Sequence, residues 1–187
     1  DNMKKIVLTI LYFFVLNTAS FALVEVDITR GNLDPLPIAI SPLYVEPGSK
    51  DIKQNDQIIK NVGEEISKVI EANFRRSGLF NPLKKESFVQ NPDIAHVKPR
   101  FEDWRLIKAQ ALVTGKVTIK DDKLRAEFRL WDVVAAKEMV ALAFSTTPEN
   151  WRRVAHIISD KIYQRLTGEE GYFDTRIIYV AESGPKT

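Results

Sequence analysis

The chain has 187 residues, 44% apolar and 28% charged, which is enough apolar material for one ordinary core and too much for a disordered segment. Its 27 basic and 25 acidic side chains leave a formal charge of +2, a balance that demands neither nucleic acid nor an acidic partner. Cysteine is absent, which excludes disulfides, cysteine-type zinc sites and thiol nucleophiles.

Asp1-Asn2 precede Met3 and are set aside from fold reasoning. Met3-Lys4-Lys5 opens onto an apolar run over 6–16, followed by the small and polar stretch Asn17-Thr18-Ala19-Ser20-Phe21-Ala22. This is the layout of a secretory signal. A run of about 11 residues at 1.5 Å each is too short to cross roughly 30 Å of hydrocarbon. Ser20 and Ala22 put small residues at the two positions a signal peptidase reads, so residues 3–22 are expected to be a signal peptide cleaved after Ala22. An uncleaved anchor or a buried apolar strand is the competing reading, and the Asn17-Thr18 break argues against it.

Residues 23–30 alternate apolar Val24, Val26 and Ile28 with polar Glu25, Asp27 and Thr29, the period of a short strand, before Gly31-Asn32 interrupts. Residues 37–45 predict a second, more buried strand in which Pro42 demands an edge or a bulge. A loop is expected over 46–55. Ile59, Val62, Ile66, Val69, Ile70 and Phe74 then form a helical stripe within 56–77, ended by Gly78. A short strand at 80–83 leads into a stretch too polar and proline-rich for a long element, and 99–104 predicts a helical turn or two. Residues 109–120, 124–134 and 137–146 read as an antiparallel meander. Leu124, Ala126, Phe128 and Leu130 should face helices on one side, while Arg125, Glu127 and Arg129 face water. Thr147-Pro148 supplies an N-cap and an N1 proline for a helix with Trp151, Val154, Ala155, Ile158, Ile162 and Leu166 on one stripe, ending at Gly168. Residues 176–180 have strand chemistry, and Glu182-Ser183-Gly184-Pro185 has turn chemistry. The fold class expected is an α/β (α+β) two-layer sandwich, with two main amphipathic helices on one face of a mixed sheet of about five strands.

Signals for chemistry are sparse. The two histidines, His96 in a loop and His156 within the last helix, match no metal spacing, and His156 reads as a helix-boundary side chain. The glycines form neither a dinucleotide nor a P-loop pattern, so no cofactor is implied. The pairs Glu64-Glu65, Asp121-Asp122 and Glu169-Glu170 are helical neighbours that diverge or turn residues. Arg75-Arg76, Lys84-Lys85 and Arg152-Arg153, interleaved with Phe74, Phe80, Phe88, Trp104 and Trp151, have the composition of a single-strand platform, but a solvated face with core aromatics is the better account. The segment 23–30 is either an ordinary first strand or, set off by Gly31-Asn32, a strand able to add to another protein's sheet edge.

The string RRVAHIISDKIYQRLTGEEGYFDTRIIYVAESG, from Arg152 to Gly184, resembles the end of the amino-terminal domain of the TolB family, a periplasmic component of the Gram-negative Tol-Pal system. PIAISPLY from Pro37, RRSGLFNPL from Arg75 and ALVTGKV from Ala111 fall where that family carries similar segments. The likeness is to the α-proteobacterial members and covers the chain from Leu23 to its end. It implies two helices on a five-stranded mixed sheet, with a six-bladed β-propeller following, of which residues 172–187 hold only the start. It also implies a partner-binding segment over 23–34 ahead of the domain at 35–171. Within it Leu23, Val24, Glu25, Val26, Asp27, Ile28, Thr29, Arg30, Gly31 and Asn32 match the part that binds the carboxy-terminal domain of TolA. Pal is bound mainly through the propeller, and the family couples the two contacts. Lacking the propeller, this chain should lack most of the Pal surface.

What the resemblance implies is a non-enzymatic, monomeric periplasmic adaptor without cofactor, metal or nucleic acid. It would touch the membrane only through partners and serve outer-membrane integrity and invagination during division. An exported hydrolase or small-ligand binder on the same fold is the alternative, and it would need convergent titratable groups.

Overall fold

The computed structural model describes residues 34–175. The elements are β1 (Leu36–Ile40), β2 (Tyr44–Val45), β3 (Ile52–Gln54), β4 (Gln57–Ile59), α1 (Val62–Ser77), β5 (Phe80–Pro82), α2 (Pro92–Ala95), α3 (Phe101–Leu106), β6 (Ala111–Lys120), β7 (Lys123–Asp132), β8 (Lys137–Thr146) and α4 (Trp151–Thr167). Short 3-10 turns at Lys85–Ser87 and Pro148–Asn150 precede α2 and α4.

Six strands form one mixed sheet in the order β5-β1-β6-β7-β8, with β2 also alongside β6. β1 runs parallel to β5 and β6, and the meander β6-β7-β8 is antiparallel, as its alternation predicts. Leu124, Ala126, Phe128 and Leu130 of β7 are buried with the stripes of α1 and α4 in one large core. Each buried Leu, Ile, Val or Phe side chain of this core contributes roughly 1.5–3 kcal/mol by leaving water, and the core accounts for why two marginal helices hold their places.

The expected strand over 37–45 is broken. Pro42 has no N–H for a ladder, and the chain leaves the sheet at Ser41–Leu43 before β2 rejoins β6 at Lys116. α1 satisfies the break: Leu43 N–H is shared between Ser67 Oγ and Gly63 O, both at 3.2 Å. Gly63 is required here, because a Cβ would run into the Leu43 carbonyl.

The long helix starts at Val62, not near Asp56. Asn55 and Asp56, with φ of 49° and 59°, make a tight hairpin turn between β3 and β4. Ile59 therefore continues the apolar stripe in sequence while lying on a strand. Asn61 caps α1 by accepting Glu64 N–H at 3.1 Å. Thr147 caps the 3-10 turn ahead of α4, and its Oγ1 receives the Asn150 side-chain amide at 3.1 Å and no backbone N–H.

The face expected to meet only water is partly covered. α2 and α3 fold over one end of it, where Ala95 and Trp104 pack on Ala39, Leu112 and Val133. Gln90 ties this cover down, accepting the Trp104 Nε1–H at 3.1 Å and the Arg100 N–H at 2.9 Å while donating to Lys98 O at 3.0 Å. Across the rest of that face Arg125, Glu127, Arg129 and Glu138 form surface ion pairs.

Candidate functional site

The expected partner-binding residues from Leu23 to Asn32, and the cleavage residues Ser20 and Ala22, lie outside the described residues, as does the strand-like stretch 176–180. What is described is where those flanking segments join the domain. Asp34 and Pro35 are exposed, and Leu36 begins β1 with its N–H on Leu79 O at 2.9 Å and Phe80 as its register partner. The Phe80 ring lies 4.7 Å from that of Phe74 and 6.1 Å from that of Tyr163. Phe173, beyond the last helix, reaches the same two rings, 6.0 Å from Phe74 and 5.8 Å from Tyr163. One aromatic cluster thus joins the start of the described chain to its end. Tilted and edge-to-face ring pairs of this kind add about 0.5–1.5 kcal/mol each beyond area burial.

The chain is turned into that cluster by polar contacts. α4 ends on Gly168, with φ of 78° and its N–H on Gln164 O at 2.9 Å. Asp160, halfway along α4, then collects the returning backbone: Oδ1 accepts Phe173 N–H at 2.7 Å and Oδ2 accepts Asp174 N–H at 3.1 Å. Asp174 in turn receives Arg153 Nε at 3.2 Å. Gly171 lies so close to Asp160 that a Cβ would meet its backbone. Burial, with Tyr172 and Glu169 beside it, holds the Tyr163 hydroxyl above its ordinary pKa.

The residues singled out for chemistry are engaged in structure. Glu64 takes Lys85 at 2.9 Å and Glu65 takes Lys68 at 2.9 Å; the Lys85 bond holds the Glu64 carboxyl below its ordinary range. Asp121 and Asp122, with φ of 49° and 55°, form the β6–β7 turn. His96 stacks on Tyr44 with centroids 4.8 Å apart. His156 Nδ1 lies 3.0 Å from the Asn73 Nδ2 donor, which also reaches Ser159 Oγ at 2.9 Å, while Asn73 Oδ1 accepts Arg76 Nη2 at 2.6 Å. This arrangement needs a neutral imidazole accepting at Nδ1, and burial lowers the His156 pKa accordingly. Among the described residues no group of three or more His, Asp or Glu side chains is arranged to hold a metal ion. Sequence reasoning missed Asp160, since its partners stand 13 and 14 residues downstream.

Comparison with known proteins adds to this geometry. Residues 24–139 match the family model for the TolB amino-terminal domain. Over 180 residues the chain is 66% identical to a Pelagibacter ubique (strain HTCC1062) protein described as Tol-Pal system protein TolB, covering 94% of this chain and 39% of that relative. The chain therefore spans about two fifths of the relative's length. Among solved structures it is similar to TolB from Acinetobacter baumannii, with a TM-score of 0.58 and 23% identity over 80% of this chain and 33% of the other. It is also similar to the hypothetical protein CT253 from Chlamydia trachomatis, with a TM-score of 0.50 and 11% identity over 73% of this chain and all of the other, 100%. At these identities the two structures show the shared fold and nothing finer.

Proposed function

Because the chain belongs to the TolB family and carries its amino-terminal domain, we propose that it serves the Tol-Pal system as a non-enzymatic periplasmic adaptor. Residues 3–22 export it. The segment 23–34 is a partner arm in which Leu23 to Asn32 bind the carboxy-terminal domain of TolA. Residues 35–171 are the folded platform, and 172–187 open the propeller that takes Pal. In this way the domain serves outer-membrane integrity and division.

The observation that carries the reading is the aromatic cluster. Leu36, where the arm joins, is in register with Phe80, and Phe80 shares its ring neighbours Phe74 and Tyr163 with Phe173, where the chain departs. The two junctions therefore share one set of packed rings, the kind of contiguous packing through which two partner contacts can be linked. The structural engagement of His96, His156 and the Glu64-Glu65 pair favours an adaptor over a hydrolase.

Deleting residues 23–32 tests it. Calorimetric titration with the TolA carboxy-terminal domain should lose its heat of binding while the melting temperature stays nearly unchanged. Retained binding would sink the assignment of the arm.

A further inference from the structure

Three arginines from two pairs that are far apart in sequence meet on the helix layer. Arg75 and Arg76 stand in the last turn of α1, and Arg152 stands in the first turn of α4. Together with Val69, Ala72 and His156 they line a groove of about 580 Å³. Arg153 is turned away to Asp174. Among the described residues, no carboxylate lies within ion-pair distance of Arg75, Arg76 or Arg152. Glu71, one turn before Arg75, feels its charge without forming such a pair. Two of the three guanidinium groups are already oriented. Arg76 Nη2 donates to Asn73 Oδ1 at 2.6 Å, and Arg152 lies over the Trp151 ring at 4.5 Å. Groups held in this way lose less freedom when an anion arrives.

We propose that this groove docks an acidic segment of a partner protein, with carboxylates taken by Arg75, Arg76 and Arg152 and an apolar side chain seated on Val69 and Ala72. Guanidinium groups match carboxylates in a planar, two-bond geometry. Nucleic acid fits the groove poorly, because Phe74, Phe80, Trp104 and Trp151 are at most 3% exposed, the half-buried Phe88 packs edge-on against Trp104, and none of these rings lines the groove to receive a base. A lipid surface fits poorly as well, because none of the large exposed apolar side chains among the described residues lines the groove. This contact goes beyond the adaptor reading.

The test is fluorescence anisotropy of the full chain with a labelled peptide of alternating glutamate and leucine. Saturable binding that weakens with salt is expected, falling about tenfold or more in the Arg76→Glu/Arg152→Glu double variant. Ala72→Glu, at an exposed position outside the Asn73 network, should cause a comparable loss with unchanged circular dichroism and melting temperature. Arg125→Glu, on the opposite face of the sheet, should stay within about twofold. An equal loss in Arg125→Glu, or undiminished binding in Ala72→Glu, overturns the proposal. So does tighter binding of oligo(dT) or of phosphatidylglycerol vesicles than of the peptide.

Discussion

Asp160 accepts the backbone N–H of Phe173 at 2.7 Å, so a side chain in the middle of the last helix sets the direction in which the chain leaves it. Its other oxygen holds the next amide, Asp174 N–H, at 3.1 Å. Hydrogen bonds to a charged acceptor are worth roughly 1.5–3 kcal/mol. Asp160→Ala should therefore lower stability by about 1–3 kcal/mol in urea titration and speed hydrogen exchange at Phe173 and Asp174. Exchange unchanged at those two amides would show that the aromatic cluster alone fixes the exit.

Gly171 is the second half of the same turn. A Cβ there meets Asp160 at its backbone, which cannot rotate away as a flexible tip would. Gly171→Ala should cost about 1–3 kcal/mol and shift the Phe173 and Tyr172 ring resonances, since both rings pack on Tyr163. Gly168→Ala acts differently. Its φ of 78° leaves open space around the site, so only backbone strain of about 1 kcal/mol is expected. If the two alanines destabilised equally and both left the rings unmoved, the close approach at Gly171 would carry no weight.

His156 gives stability a pH dependence of definite sign. Its pKa lies below the ordinary 6.5, above all through burial, with Arg76 and Arg152 adding to the shift and Asp174 and Asp160 opposing it. The unfolded chain therefore takes the proton more readily than the folded one. The contribution is full above about 6.5 and is lost as pH falls through the depressed folded value. Urea midpoints measured downward from neutral pH should fall in the wild-type chain, and the fall should be shallower in His156→Gln. An identical slope in the two proteins would assign the effect to other groups.

Much of the architecture could be read from residue patterns, because the forces involved are local. The alternation of Leu124, Ala126, Phe128 and Leu130 and the stripe from Trp151 to Leu166 are buried as their periods require. The β3–β4 hairpin escaped because its turn uses Asn55-Asp56 without a glycine and Ile59 happens to fall in phase with the helix that follows. Long-range polar ties were out of reach for a different reason. Trp151 Nε1–H donates to Gln54 Oε1 at 3.1 Å across 97 positions, and no local pattern announces such a bond. The convergence of Arg75-Arg76 with Arg152 depends on how α1 and α4 pack, so sequence shows two charged faces and the fold makes one groove. The expected partner arm lies beyond the described residues, and its reading rests on alternation and family resemblance.

The break at Pro42 separates two kinds of support that α1 gives the sheet. Ser67 Oγ accepts Leu43 N–H at 3.2 Å and lies 3.1 Å from Ser41 O and 3.0 Å from Gly63 O, so one hydroxyl serves a buried stretch that the sheet ladder cannot. Ser67→Ala leaves the Leu43 N–H with the Gly63 carbonyl alone and should cost about 1 kcal/mol. Gly63→Ala instead forces a methyl group into the Leu43 carbonyl, which requires the first turn of α1 to move off the strand and should cost about 1–3 kcal/mol. Because β2 follows directly and pairs Tyr44 and Val45 with Lys116 and Val117, the displacement should also speed amide exchange in β2. Ser67→Ala should leave β2 protected. Urea titration with exchange mapping of both variants separates the two. A Gly63→Ala chain as stable as Ser67→Ala, with β2 still protected, would mean that close packing at this turn is not what holds the broken strand.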